Sequence, residues 1–197
     1  MSNEEIEEIC DYFGIENYTI NDGMVDVDDH VRLDSLGLTD IPLNFNIVSG
    51  HFFCTANELT SLKGAPKEVG GVFHCDENKL TSLEGCPDII GSDLYAQNNK
   101  LTTLEGCPDK VGRNFNISFN PIINVDYLPT EIGGKFYCHK TPLATMLNEV
   151  ELDLVYAFKT YKVIKGRDIN LKRLRYVMNL FNQPADLKQI KRYYNVV

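Results

Sequence analysis

Apolar residues return every 21 positions along most of this chain, and the returns stay in phase. From Asn57 the sequence reads NELTSLKGAPKEVGGVFHCDE, from Asn78 NKLTSLEGCPDIIGSDLYAQN and from Asn99 NKLTTLEGCPDKVGRNFNISF. A degenerate copy, NPIINVDYLPTEIGGKFYCHK, follows from Asn120, and LGLTDIPLNFNIVSGHFFCTA from Leu36 fits one step earlier. A repeat of this length can bury its apolar face only against its neighbours, which predicts a stacked solenoid.

Each position in the repeat has a physical role. The order L-x-x-L-x-L-x-x-N-x-L can be laid on it with Asn as the anchor, so that one turn supplies Phe73, Cys75, Asn78 and Leu80. Gly or Ser takes the place of the first Leu, and Val48, Val69, Ile90, Val111 and Ile132 supply apolar burial just before it. Period-two alternation points Phe52, Phe73, Leu94, Phe115 and Phe136 inward from short parallel strands. Asn57, Asn78, Asn99 and Asn120 then form a ladder whose amides satisfy backbone groups freed at each corner. Twenty-one residues leave little room for a helix, and Gly-Cys-Pro at 85–87 and 106–108 argues against one, so extended or 3₁₀ segments are expected on the return path. The fold class expected is an α/β repeat, a short-period leucine-rich-repeat solenoid with an N-terminal helical cap and a C-terminal helical segment.

A solenoid needs covers at both ends. Ile6, Ile9, Cys10 and Phe13 recur at helical spacing behind Ser2 or Asn3, which predicts an N-terminal helical cap over 1–14 and a solenoid over 15–144. Residues 145–197 read as helical: Leu147, Val150, Leu154, Phe158 and Tyr161 share one face. A second helix begins near Asp168 with Leu171, Leu174, Met178 and Phe181, and a third starts around Pro184 with Leu187, Ile190 and Tyr194.

Charge divides the chain at the same place. Residues 1–144 hold 23 acidic and 9 basic residues, a net −14, whereas 145–197 hold 5 acidic and 10 basic, a net +5. No stretch approaches the roughly 20 apolar residues of a membrane span, and the acidic N-terminus lacks the pattern of a secretory signal, so no membrane partner and a cytoplasmic location are expected. With no Cys-x-x-Cys and no secretory signal, the six cysteines read as reduced, buried thiols.

The run Tyr18-Thr19-Ile20-Asn21-Asp22-Gly23, the element Val25-Asp26-Val27-Asp28 and the tandem N-x-L-T-S-L-E-G-C-P units resemble a group of leucine-rich-repeat proteins of large tailed bacteriophages. The resemblance covers about residues 15–143 and specifies architecture rather than activity. It implies a phage protein working in a bacterial host cytoplasm against a host protein, including a defence factor, and it offers no catalytic motif.

The outward residues of the strands fall into columns. One reads Arg32, Phe53, His74, Tyr95, Asn116, Tyr137. Its neighbours include His30, His51 and Asp93 on one side, and Asp34, Thr55, Asp76 and Gln97 on the other. Aromatic residues anchor interfaces, so Arg32, His51, Phe53, His74, Asp76, Asp93, Tyr95, Asn116 and Tyr137 are the expected partner-binding face. Tyrosines also suit strands for their own sake. Six strands about 4.8 Å apart give a face roughly 24 Å long, a few hundred Å² against about 800 Å² per partner in a standard interface. The flanks or the basic tail must add to it, with Lys172, Arg173 and Arg175 as the secondary contact, or the protein pairs with itself as a homodimer. Direct nucleic-acid binding is not expected, because the tail has no recognition-helix signature.

Chemistry is sparse. Cys54 and Cys75, or Cys86 and Cys107, stack without the inward histidines that zinc would need. His30 and His51 lack a third ligand, and Asp26, Asp28 and Asp29 lack the order of a calcium loop. The Gly70-Gly71 and Gly133-Gly134 pairs are not followed by Lys-Ser/Thr, and no Ser or Thr has a base in register. We therefore expect no enzyme, no catalytic residue, no metal and no cofactor. The leading expectation is a protein-interaction module that inhibits or redirects a host protein. Two alternatives stay open: an acidic DNA-mimic decoy for a host restriction or defence enzyme, and a virion structural or assembly protein.

Overall fold

The computed structural model describes residues 1–145, 152–183 and 185–197 and shows a β-solenoid of stacked turns between an N-terminal helix and C-terminal helices. Short strands at Val31–Arg32, Phe52–Phe53, Phe73–His74, Leu94–Tyr95, Phe115–Asn116 and Phe136–Tyr137 form a parallel front sheet. A second sheet runs behind it. Its parallel strands are Met24–Val27, Phe45–Val48, Glu68–Val69, Ile89–Ile90, Lys110–Val111 and Glu131–Ile132. Partners in both sheets lie one repeat apart, Phe52 opposite Phe73 and Val69 opposite Ile90. The extended return path thus carries a full second sheet, whose buried members include the Val and Ile residues that precede each Gly or Ser.

Close backbone approach explains the replacement of leucine by glycine. The Gly91 amide donates to the Val69 carbonyl at 2.9 Å, and a Cβ on Gly91 would overlap the Gly70 carbonyl of the turn before. Between the sheets, Phe52 stacks on Phe73 with centroids 5.6 Å apart, and Phe115 meets Phe136 at 5.5 Å. Leu94 continues the same fully buried column.

The asparagine ladder forms as the repeat predicts. Asn78 Nδ2 donates to the carbonyls of Cys54, Cys75 and Asp76, while its Oδ1 accepts the Leu59 amide at 3.0 Å. Asn99 and Asn120 repeat the pattern one and two turns later. Each amide bridges two turns, so it ties the stack together as well as closing its own corner. At Thr141 the ladder changes chemistry: Oγ1 donates to the Cys138 carbonyl and accepts the Ala144 amide.

The residue before each ladder position is left-handed: Ala56, Glu77, Asn98, Phe119 and Lys140 have φ between 53° and 58°. Asn98 alone among them is of a type that favours this region. The corner imposes the conformation on whatever residue occupies it.

At the front end, helix α1 (Asn3–Phe13) starts at a Ser2–Glu5 capping box and stops at left-handed Gly14. Ile6 and Cys10 are buried against the first turn, with Ile9 and Phe13 packed beside them. A hairpin follows, Tyr18–Asn21 with Met24–Val27, joined by Asp22-Gly23 with positive φ at both residues. Its second strand opens the back sheet.

The C-terminal segment holds helices α2 (Leu152–Thr160), α3 (Leu171–Leu180) and α4 (Leu187–Ile190). It also holds a small sheet that helical patterning did not predict: Ile164–Lys165, Asp168–Ile169 and Asn195–Val196. Asp168 is therefore a strand residue and α3 begins after an Asn170 cap, because Gly166, at a φ of 58°, turns the chain back on itself. Tyr161 lies past α2 and is exposed, its ring edge-on to Tyr176, rather than continuing the buried face of Leu154 and Phe158. Leu147, Val150 and Pro184 lie outside the described residues. Two hydrogen bonds fasten this segment to the last turns: Tyr194 Oη to the Ile123 carbonyl at 2.6 Å and Lys159 Nζ to the Leu128 carbonyl at 2.8 Å.

Candidate interaction surface

The front sheet turns one set of side chains into the core and the other outward, and the outward set is organised rather than merely solvated. The Arg32 guanidinium sits over the Phe53 ring at 4.5 Å. Phe53 stacks on His74 at 5.3 Å, and His74 on Tyr95 at 4.5 Å, with interplanar angles of 23° and 19°. Four consecutive turns thus share one cation-capped π stack. Stacking leaves Phe53, His74 and Tyr95 half-buried rather than fully exposed; Asn116 and Tyr137, beyond the stack, are half-buried as well, while Arg32 at the end of the column is exposed. The ring faces cover one another, so the stack offers its edges to a partner.

The neighbouring column serves the backbone. His30 Nδ1 accepts the His51 amide at 2.9 Å, and His51 Nδ1 accepts the Val72 amide at the same distance. Asp93 Oδ1 accepts the Asn114 amide at 3.0 Å, and Asn114 Oδ1 accepts the Lys135 amide at 2.9 Å. Chemically unlike residues, His, His, Asp and Asn, play the same part, in which the side chain of one turn accepts an N–H of the next. Val72 interrupts the series. Gly71 belongs to the same device, since a Cβ there would overlap His51 Nδ1. In their neutral form His30 and His51 consequently carry the proton on Nε2.

Burial changes the reading of two acids. Asp76 and Asp93 are 8% and 7% exposed. Asp76 Oδ1 lies 2.9 Å from His74 Nδ1, and Asp93 is engaged by Asn114 and Ser92. Both sit on the expected face, yet they work as supports under it. Asp34 Oδ1 and Gln97 Oε1, in the third column, are buried without a partner. Lys172, Arg173 and Arg175 are exposed on α3, well separated in sequence from the front strands.

The candidate metal residues are occupied otherwise. The His30 and His51 rings stack at 4.5 Å and 18°, so their in-plane lone pairs run parallel, and both Nδ1 atoms already accept N–H groups. Asp26 accepts from Asn21, Asn46 and the Ile47 amide, Asp28 from Ser49, and Asp29 from Asn17 and the His30 amide. All six cysteines are free, and burial pushes the Cys54 and Cys75 thiols far up and Cys138 up to about 12. Among the described residues no three His, Cys, Asp or Glu side chains converge as a metal site, and no helix is long and apolar enough to cross a membrane.

The chain matches no protein-family model, no curated protein and no solved structure.

Proposed function

We propose that the chain is a protein-interaction module that docks a partner protein across the outward side of its front sheet. The observation that carries this reading is the continuous stack Arg32–Phe53–His74–Tyr95, preorganised by the register of the sheet. Rigid aromatic edges flanked by a guanidinium and by imidazole Nε2–H groups form a donor-rich surface that suits the carbonyls and carboxylates of a partner. Preorganisation matters because association then orders few side chains.

The order of apolar and Asn positions supports classing the turns as leucine-rich repeats, here with a second strand in place of a helix. The phage resemblance supports a host protein as the partner and inhibition or redirection as the outcome. An acidic decoy would need carboxylates presented outward, and on this face Asp76 and Asp93 are buried beneath the rings, so the donor-rich reading is favoured.

Capture from a host lysate by tagged full-length chain tests the assignment. Arg32→Ala and Tyr95→Ala should each lose the captured partner while melting within a few degrees of the parent. Undiminished capture by both variants would remove this face from the interface.

A further inference from the structure

Where the C-terminal segment meets the last turns there is a cleft of about 440 Å³ lined by Asp126, Lys159, Lys162, Ile164, Lys165 and Arg173. Four of these six residues are cations and one is an acid. Among the described residues none of the four forms an ion pair within 4 Å. Two are instead held by backbone carbonyls: Lys159 Nζ by Leu128 at 2.8 Å and Arg173 Nη1 by Lys162 at 3.1 Å. A carbonyl fixes the position of a cation without cancelling its charge, so the cleft is preorganised and left strongly positive. Residues 1–144 contain 23 acids, and apart from Asp126 none of them lines the cleft.

Local order points the same way. The first turn of α3 contains Lys172 and Arg173 and no acid, the reverse of what a helix dipole favours. Ile164 is buried in the wall, and the small sheet Ile164–Lys165 with Asp168–Ile169 places Lys165 at its rim. Four cations that oppose local preference, with one acid beside them and no ion pair among the described residues, mark a site completed by an anion.

We propose that this cleft binds a small molecule carrying two or three linked phosphates. Its volume lies within the range of small-ligand sites. A planar guanidinium and three ammonium groups suit several phosphate oxygens better than a single carboxylate. A nucleic-acid strand is the poorer occupant, because the rest of the chain, residues 1–144 at net −14, repels an extended polyanion. The site is independent of the front-face docking surface.

Isothermal titration of the full chain with sodium tripolyphosphate, in ~50 mM salt to limit screening, tests the proposal. Saturable one-site binding is expected, weakened about tenfold by each of Lys162→Ala and Lys165→Ala, the size of one lost charge-assisted contact. A paired control, Lys188→Ala on α4 with Lys191→Ala just after it, should bind as the parent does. Thermal melts of every variant report folding, and Lys162→Gln and Lys165→Gln serve if an alanine variant melts early. The proposal is overturned by absent saturation, by equal loss in the control, by citrate binding as tightly, or by a single-stranded oligonucleotide outcompeting tripolyphosphate at the same residues.

Discussion

His51 Nδ1 accepts the backbone N–H of Val72, one full turn further along the chain, at 2.9 Å. A titratable ring therefore takes part in holding two turns together. Burial first, and then His30, Arg32 and His74, keep the imidazole below its ordinary value of 6.5. The unfolded chain takes up this proton near the ordinary value while the folded chain resists it. The contribution of His51 is thus complete above that value and is lost as pH falls through the lower folded value. Urea midpoints between about pH 7.5 and pH 5 should decline for the parent. His51→Asn keeps an acceptor of the kind Asn114 already provides for Lys135, and its decline should be shallower. An unchanged slope would show that the ring titrates alike in both states.

Asn78 makes four hydrogen bonds in the middle of the corner ladder. Asn78→Ala would leave the buried Leu59 amide without its acceptor and take one donor from each of the carbonyls of Cys54, Cys75 and Asp76, which keep Asn57, Asn99 and the Ala56 amide. A loss of about 1–3 kcal/mol is expected, led by the one unsatisfied buried amide. Asn78→Asp should cost no less, because a carboxylate cannot donate to carbonyls. Equilibrium urea unfolding checks both.

Much of this architecture was legible in the sequence, and the reasons differ by residue. The ladder Asn and the inward Phe declare themselves because their chemistry recurs in register. The front column was legible as a column, but its burial was not, since stacking of Phe53 on His74 depends on side-chain rotamers. The His30–His51 device hid behind unlike residue types: His, Asp and Asn share only an acceptor atom. The second sheet was hidden because strands such as Glu68–Val69 bury a single apolar residue and show no alternation, whereas the front strands announce themselves by pairs such as Phe73 and Cys75. The Asp22-Gly23 hairpin carried a readable turn signal that apolar periodicity alone passes over. In the tail, Gly166 marks a turn that a helical reading of Asp168 misses.

Phe119 offers a test of the corner geometry. It is 53% exposed and held at a φ of 58°, where Asn98 stands one turn earlier. Phe119→Asn gives up little burial and places a residue tolerant of left-handed backbone there. A gain of roughly 0.5–1 kcal/mol is expected, read as a higher urea midpoint. A loss would mean that the ring contributes packing against the adjoining groove shared with Pro121 and Tyr193.

Gly91 tests the close approach of successive turns. Gly91→Ala would drive a methyl into the Gly70 carbonyl, backbone that cannot move without disturbing the Gly91–Val69 hydrogen bond. A destabilisation of about 3 kcal/mol or more is expected, the scale of strain plus a broken backbone contact. Gly23→Ala controls for the general effect of adding a methyl at a glycine. Gly23 has open space around its Cβ and suffers only from its positive φ, so it should lose about 1 kcal/mol. Similar losses at the two sites would deny any special role to the stacked glycines.

Tyr194 decides whether the C-terminal segment behaves as part of the solenoid. Its ring is 4% exposed and its hydroxyl reaches the Ile123 carbonyl at 2.6 Å, across 71 residues of chain. Burial, followed by the nearby Cys138, pushes the phenol far above its ordinary range, so it remains a donor throughout the accessible pH range. Tyr194→Phe keeps the packing and removes only that donor, leaving the Ile123 carbonyl without it. A loss of about 1–2 kcal/mol is expected. The consequence should be local, because the front and back sheets close on their own ladder bonds. Limited proteolysis should therefore cut residues 152–197 sooner in the variant while the 21-residue turns stay protected. Uniform acceleration across the whole chain would instead show that the segment and the solenoid unfold as one cooperative unit, with Tyr194 inside its core.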